Sequence, residues 1–229
     1  MKERKPMKVA IDGPAGAGKS TISKKAASEL GYVYIDTGAM YRTVGLYMLR
    51  LGIDIPSEHS RVAERMDEIE IDIKPTADGQ LMFLNGEDVT SLIRTEEVSM
   101  AASNVAVIGE VRKKLVKMQQ DFAEGKNVVM DGRDIATTVL PDAECKIFLT
   151  ASSRARGERR YLELKEKGVD CNIDDICRDI EARDKNDSER AVSPLRQAED
   201  AILLDTTNLT LEESISEAIR IIKEKAGIL

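Results

Sequence analysis

Lys8-Val9-Ala10-Ile11-Asp12-Gly13-Pro14-Ala15-Gly16-Ala17-Gly18-Lys19-Ser20-Thr21 is the stretch that decides the fold. Residues 8–12 read as a short buried strand, the glycines as a tight turn, and residues 20–30 as a helix stopped by Gly31. Residues 13–20 fit G-x-x-x-x-G-K-[ST] in full. Glycines let the backbone wrap a phosphate so that several N–H groups point inward, and the following helix presents its positive end. In this chemistry Lys19 can reach the β- and γ-phosphates, and the Ser20 hydroxyl can ligate Mg²⁺. A chance glycine-rich turn would lack the strand directly before it and the helix directly after it. The stretch predicts a site for ATP or GTP.

Outward from this loop the chain alternates strands and helices. Residues 32–35 form a second β-rich run, followed by a helix over 39–51 that Gly52 stops. Short apolar runs at 127–130, 145–149 and 201–204 read as buried parallel strands separated by helical stretches. The fold class is α/β: a P-loop architecture with a five-stranded parallel sheet covered by helices. One stretch breaks the rhythm. Ile69, Ile71 and Ile73 alternate with acids, residues 75–79 supply a turn, and residues 80–84 return, which predicts an antiparallel hairpin within an insertion over about 65–100. Thr210 and Glu213 stand in capping-box spacing before a last helix that carries Ile215, Ala218, Ile219 and Ile222 on one face. No internal repeat or low-complexity segment is present. The 229 residues read as a single domain.

Composition narrows the chemistry. Hydrophobic residues make up 42% and charged residues 33%, enough to bury a core and keep a solvated surface. The chain has no Trp and only 3% aromatics, which argues against a stacking platform for single-stranded nucleic acid. His59 is the one histidine and sits in a polar stretch with Pro56, Ser57, Glu58 and Ser60, which argues against a histidine-rich zinc site or a Ser-His-Asp hydrolase. The formal net charge is −7, so any anion site must concentrate its cations locally. Cys145, Cys171 and Cys177 lack metal-ligand spacing and suit a reducing compartment. No run approaches the roughly 20 apolar residues of a membrane helix, and the basic start over 1–8 leads into no signal-peptide core. The expectation is a cytoplasmic protein that binds neither nucleic acid nor membrane, and a monomer.

A phosphate loop serves switches, motors and kinases alike. The N-K-x-D and D-x-x-G strings of a guanine-nucleotide switch are absent, and 229 residues leave little room for the coupling elements of a motor. Val128-Val129-Met130-Asp131 is an apolar strand ending in a carboxylate, where such proteins place an acid near the metal. Asp36-Thr37-Gly38-Ala39-Met40-Tyr41-Arg42 follows the second strand, at the carboxyl end of the sheet where ligands bind. Asp131-Gly132-Arg133-Asp134 brings another arginine to the end of a different strand, and Arg183, Asp187 and Arg190 bracket a dense polar segment. Arg156, Arg159 and Arg160 open a helix after the 145–149 strand, a composition that suits a lid over ATP. Each of these could be a solvated cation on a helix face. Two readings stay open: a small phosphotransferase, and a nucleotide-dependent switch that hydrolyses ATP slowly. Only the first needs Arg42, Arg133, Arg190 and Asp187.

Taken together, residues 11–21, the Asp36 to Arg42 string, Asp131-Gly132-Arg133-Asp134, the 183–194 tail, Asn85-Gly86-Glu87-Asp88-Val89 and Ile93-Arg94-Thr95-Glu96 resemble the bacterial cytidylate kinases, within the nucleoside monophosphate kinase group. The similarity runs over nearly the whole chain from Lys8. It implies ATP-dependent phosphorylation of CMP and dCMP, with Mg²⁺ as cofactor, and three zones: a core, a nucleoside monophosphate lobe over roughly 37–112 enlarged by a small antiparallel sheet, and a short lid over about 154–172. It further implies that Gly13, Pro14, Ala15, Gly16, Ala17, Gly18, Lys19, Ser20 and Thr21 bind the phosphates of ATP, with Ser20 and Asp131 at the metal. Arg42, Arg133 and Arg190 match the arginines around the acceptor phosphate. Thr37, Arg183 and Asp187 match positions near the pentose, and Ser103, Arg112 and Asp134 match those that read the base. Lys19 and the lid arginines Arg159 and Arg160 would stabilise charge in the transition state. The base assignment is chemically coherent. Cytosine offers an N4–H₂ donor to a carboxylate at Asp134 and N3 and O2 acceptors to Arg112, whereas uracil reverses the pattern at O4 and N3–H. No role follows for Asp12.

Overall fold

The computed structural model describes residues 5–76, 79–166 and 168–228. In chain order, β1 (Lys8–Asp12) leads through the glycine loop into α1 (Lys19–Leu30), β2 (Val33–Asp36), α2 (Thr37–Arg50) and α3 (His59–Arg65). Next come β3 (Ile71–Thr76), β4 (Gly79–Leu84) and β5 (Glu87–Asp88), then α4 (Glu96–Val105) and α5 (Gly109–Ala123). β6 (Val128–Gly132) runs into a single π-helical turn, Ile135–Val139, and β7 (Cys145–Thr150) follows. The chain ends with α6 (Ser153–Glu166), α7 (Ile173–Glu189), β8 (Ile202–Asp205) and α8 (Leu211–Ala226).

β1, β2, β6, β7 and β8 form one parallel sheet in the order β2-β6-β1-β7-β8. The five strands match the five apolar runs of the sequence within one or two residues. β6 is buried along its whole length and β1 everywhere but its first residue, as a sheet covered on both faces requires. One face packs Val9, Ile11, Val129, Ile147 and Leu149 under α1 and α8. The other buries Ala10, Ile35 and Met130 against Ala123 and the π-helical turn. α8 begins with the expected capping box, in which Thr210 and Glu213 each bond the other's backbone N–H.

β3, β4 and β5 make a separate antiparallel sheet, with Ile71 opposite Leu84 and Ile73 opposite Met82. Alternation in β3 turns Ile71 and Ile73 inward and Asp72 and Lys74 outward. The short third strand, β5, carries no pattern that the sequence reading could use. Ala77 and Asp78, at the centre of the predicted turn, lie outside the described residues, as do residues 1–4 of the basic start and Lys167 of the expected lid. This small sheet shares an apolar cluster with α2, α3, α4 and α5 that includes Met40, Val44, Met48, Val62, Val98 and Leu115. α2 and α4 cross closely at Gly45, where an added Cβ would lie 3.0 Å from the Ala101 side chain. α2 begins at Thr37, two residues earlier than expected, because the Asp36 carboxylate accepts the Ala39 N–H and caps the helix.

Candidate active site

The loop after β1 owes its path to backbone packing. A Cβ on Gly13 would lie 1.9 Å from the Leu149 carbonyl oxygen of β7, so only glycine fits where the two chains pass. Gly16 and Gly18 hold φ of 71° and 86°, and Gly18 is the N-cap of α1. Buried Lys19 curls over the loop and donates to the Pro14 carbonyl at 2.7 Å. Burial and the neighbouring Arg133 cation pull the Lys19 amine down to about 7. An approaching phosphate would favour the protonated form of Lys19.

Asp131, near the end of β6, is gripped at both carboxylate oxygens. Ser20 Oγ donates to Oδ2 at 2.9 Å and Tyr34 Oη donates to Oδ1 at 2.8 Å. Burial and the nearby Asp36 carboxylate push Asp131 up to about 6. The Ser20 hydroxyl and the Asp131 carboxylate thus stand together at the N-terminus of α1, an all-oxygen pair of the kind a hard divalent cation takes. Thr37 sits against the same strand, its hydroxyl donating to the Asp131 carbonyl at 2.8 Å.

A cleft of about 340 Å³ is lined by residues 15–21, Thr37, Arg42, Ser103, Asp131, Arg133, Asp134, Arg183, Asp187 and Arg190. The loop after β1 with α1, the start of α2, α4, the end of β6 and α7 deliver these side chains from five separate regions of sequence, so the acidic chain does concentrate its cations in one place. The arginines are held by carboxylates. Arg133 pairs with Asp187 at 2.7 Å, and Arg42 with Asp36 at 2.9 Å. Asp134 binds Arg112 through one oxygen and Arg190 through the other, at 3.3 Å for Arg190. All three side chains are at most 7% exposed. Burial lowers the Arg190 pKa, opposed by Asp134.

Other predicted residues stand off the cleft wall. Gly13 and Pro14 shape the loop from behind. Arg112, on α5, lies behind Asp134 rather than in the solvent of a helix face, with its guanidinium 6.0 Å from the centre of the Tyr41 ring. Arg159 turns to β8's end, donating to the Thr206 carbonyl at 2.5 Å and its hydroxyl at 3.3 Å. Arg160 pairs with Glu163 and Glu96. Arg183 reaches the same Glu96 from α7.

Several residues of the site make bonds that the sequence does not announce. Asp36 gathers Arg42, Arg94 and the Ala39 N–H on one buried carboxylate. Tyr34 fastens Asp131. Arg156 donates to the carbonyls of Ala151 and Ala15, at 2.8 Å each, and to Asp184 at 2.6 Å, which stitches α6 and α7 to the phosphate loop. Asp36 and Arg156 were visible as charges beside motifs, but nothing in their spacing announces these partners.

Known proteins align with the chain along almost all of its length. The family model described as Cytidylate kinase matches residues 9–224. A protein named Cytidylate kinase from Caldicellulosiruptor saccharolyticus is 54% identical over 223 residues, covering 97% of this chain and 98% of its own. One of the same name from Bacillus cereus is 50% identical over 218 residues, covering 95% and 96%. Among solved structures, an uncharacterized protein from Eubacterium ventriosum superposes with a TM-score of 0.50 at 14% identity, covering 96% of this chain and 99% of its own, a likeness of fold alone. With a family model that spans the sheet, the small antiparallel sheet and the cleft together, the chain belongs to the cytidylate kinase family.

Proposed function

We propose that the chain transfers the γ-phosphoryl group of ATP to CMP and dCMP, giving ADP and the nucleoside diphosphates by direct in-line displacement. The observation that carries this reading is the shared cleft, in which the phosphate loop and the arginine–carboxylate set around Asp134 line one cavity. The acceptor phosphate is already an anion, so no strong general base is required; positioning and charge neutralisation do the work. Arg42, Arg133 and Arg190 hold the acceptor phosphate, and Thr37, Arg183 and Asp187 surround the pentose. Ser103 and Asp134 read the base, with Arg112 behind them. Lys19 exchanges the Pro14 carbonyl for phosphate oxygens and meets the charge that develops on the transferred group. Arg159 and Arg160 reach the transferred group only if α6 moves, and such closure would exclude water as a competing acceptor.

Ser20 and Asp131 would hold Mg²⁺, which neutralises charge on the β- and γ-phosphates when bound. The moving parts are a monophosphate lobe over 37–112 and a lid over 154–172 on a single kinase domain. No helix among the described residues is long and apolar enough to cross a membrane, and the three free cysteines suit the cytoplasm. The test is an acceptor panel: ADP formation measured with CMP, dCMP, UMP and AMP. CMP and dCMP should give the highest kcat/KM. ATP hydrolysis indifferent to every monophosphate would instead identify a slow switch.

A further inference from the structure

Asp12 closes β1 one residue before the phosphate loop, and its side chain is buried. Its position suggests a part of the ATP site, but its bonds lead elsewhere. Oδ1 accepts the Ile135 N–H at 2.8 Å and Oδ2 accepts the Ala136 N–H at 2.7 Å. Lys19, the nearest cation of the loop, donates to Pro14, and among the described residues Asp12 has no ion pair. Burial pushes the Asp12 carboxyl up to about 6, partly offset by the two N–H groups, so the site is held by hydrogen bonds rather than by a salt bridge.

The partners of Asp12 are the leading N–H groups of the π-helical turn Ile135–Val139. Such groups have no acceptor within their own helix and usually take one from the side chain of the residue just before it. That residue is Asp134, a favourable capping type, yet it makes no capping bond. Its carboxylate is occupied by Arg112 and Arg190. A capping bond to its own turn would pull it off both arginines.

We propose that Asp12 is a positioning residue for the acceptor site: it caps the turn from β1 in place of Asp134 and thereby leaves the Asp134 carboxylate on Arg112 and Arg190 at the cleft. The inference rests on the reading of Asp134 as the residue that faces the base. A residue at the mouth of the ATP loop then controls recognition of the other substrate.

The test is Asp12→Asn, whose amide offers one acceptor oxygen to two N–H groups, so that Asp134 is drawn toward its own turn. Asp12→Ser, which can still accept one N–H, serves if the amide variant does not fold. Expected is a rise in KM for CMP on the order of tenfold and a reduced CMP-over-UMP ratio of kcat/KM, with KM for ATP changed by less than about twofold. CMP should also lose most of its thermal-shift stabilisation of the variant while ATP keeps its own. In a double-mutant cycle, Asp12→Asn should cost little further discrimination once Asp134→Asn is present. An equal rise in both KM values would overturn the inference, as would a lowered melting temperature with unchanged KM values or additive losses in the cycle. A wild-type protein that makes no ADP with CMP would overturn the reading of the acceptor site itself, and with it this inference.

Discussion

Asp134 carries two duties that its place in sequence conceals. It faces the cleft, and it is the common counter-ion of Arg112 and Arg190, whose side chains are 4% and 5% exposed. Removing one partner of a buried ion pair leaves an uncompensated charge, at a cost of about 3–5 kcal/mol. Asp134→Ala should therefore lower the urea midpoint markedly as well as erode the preference for CMP over UMP. Asp134→Asn keeps the shape and should separate the two effects: discrimination falls, stability falls less. Denaturation curves beside kcat/KM ratios measure both. Lys19 and Asp131 differ in kind from Asp134. Burial moves Lys19 down to about 7 and Asp131 up to about 6, each toward its neutral form, which a triphosphate and a divalent cation would reverse. Lys19 is legible in the sequence because the loop motif specifies residue types at fixed spacing, and Asp131 because an apolar strand ends on it. Family resemblance implies only that Asp134 and Arg112 both face the base; their mutual ion pair is not written in the sequence, because its members are 22 residues apart and on different elements.

At the scale of elements, α2 depends on a single carboxylate. Asp36 ends β2, caps α2 through the Ala39 N–H, and holds Arg42 and Arg94 at 2.9 and 3.2 Å. Burial alone would raise its pKa, but Arg42 and Arg94 outweigh burial and hold it below the ordinary 3.8. A carboxylate whose folded pKa is depressed contributes stability above its unfolded pKa and loses it as pH falls through the folded value. Asp36→Asn should therefore be less stable than the wild type at pH 7, and the gap should close below about pH 4. Melting temperatures across that range test this; a gap that persists undiminished at pH 2 would assign the loss to packing around the amide, since asparagine caps a helix about as well as aspartate. The same carboxylate starts α2 two residues before the expected position. Periodicity marks where apolar residues begin to repeat, whereas the cap lies upstream of the first repeat.

Across the whole molecule, α6 and α7 meet the α4 side of the cleft through Glu96, which pairs with Arg160 and Arg183. Glu96 competes with an acceptor for Arg183, yet an exposed pair of this kind is worth only about 0–1 kcal/mol. Glu96→Gln should accordingly lower KM for CMP by up to about fivefold at low salt, and the difference should shrink at about 1 M salt, where screening acts within roughly 3 Å. Initial rates at two ionic strengths decide it; an effect that does not respond to salt would mean that Glu96 acts through helix packing. The strands of the sheet, the phosphate loop, the hairpin and the last helix are legible in the residues alone, because strand burial, glycine spacing and capping are local constraints repeated along the chain. The partners are set by packing: Asp12 with the Ile135 turn, Asp36 with Arg94, Arg156 with the Ala15 carbonyl, and Arg159 with Thr206 rather than the cleft. An arginine reaches several ångströms in many rotamers, and which carboxylate or carbonyl it finds depends on the elements packed around it. Charge is written in the sequence, and its direction is set by the fold.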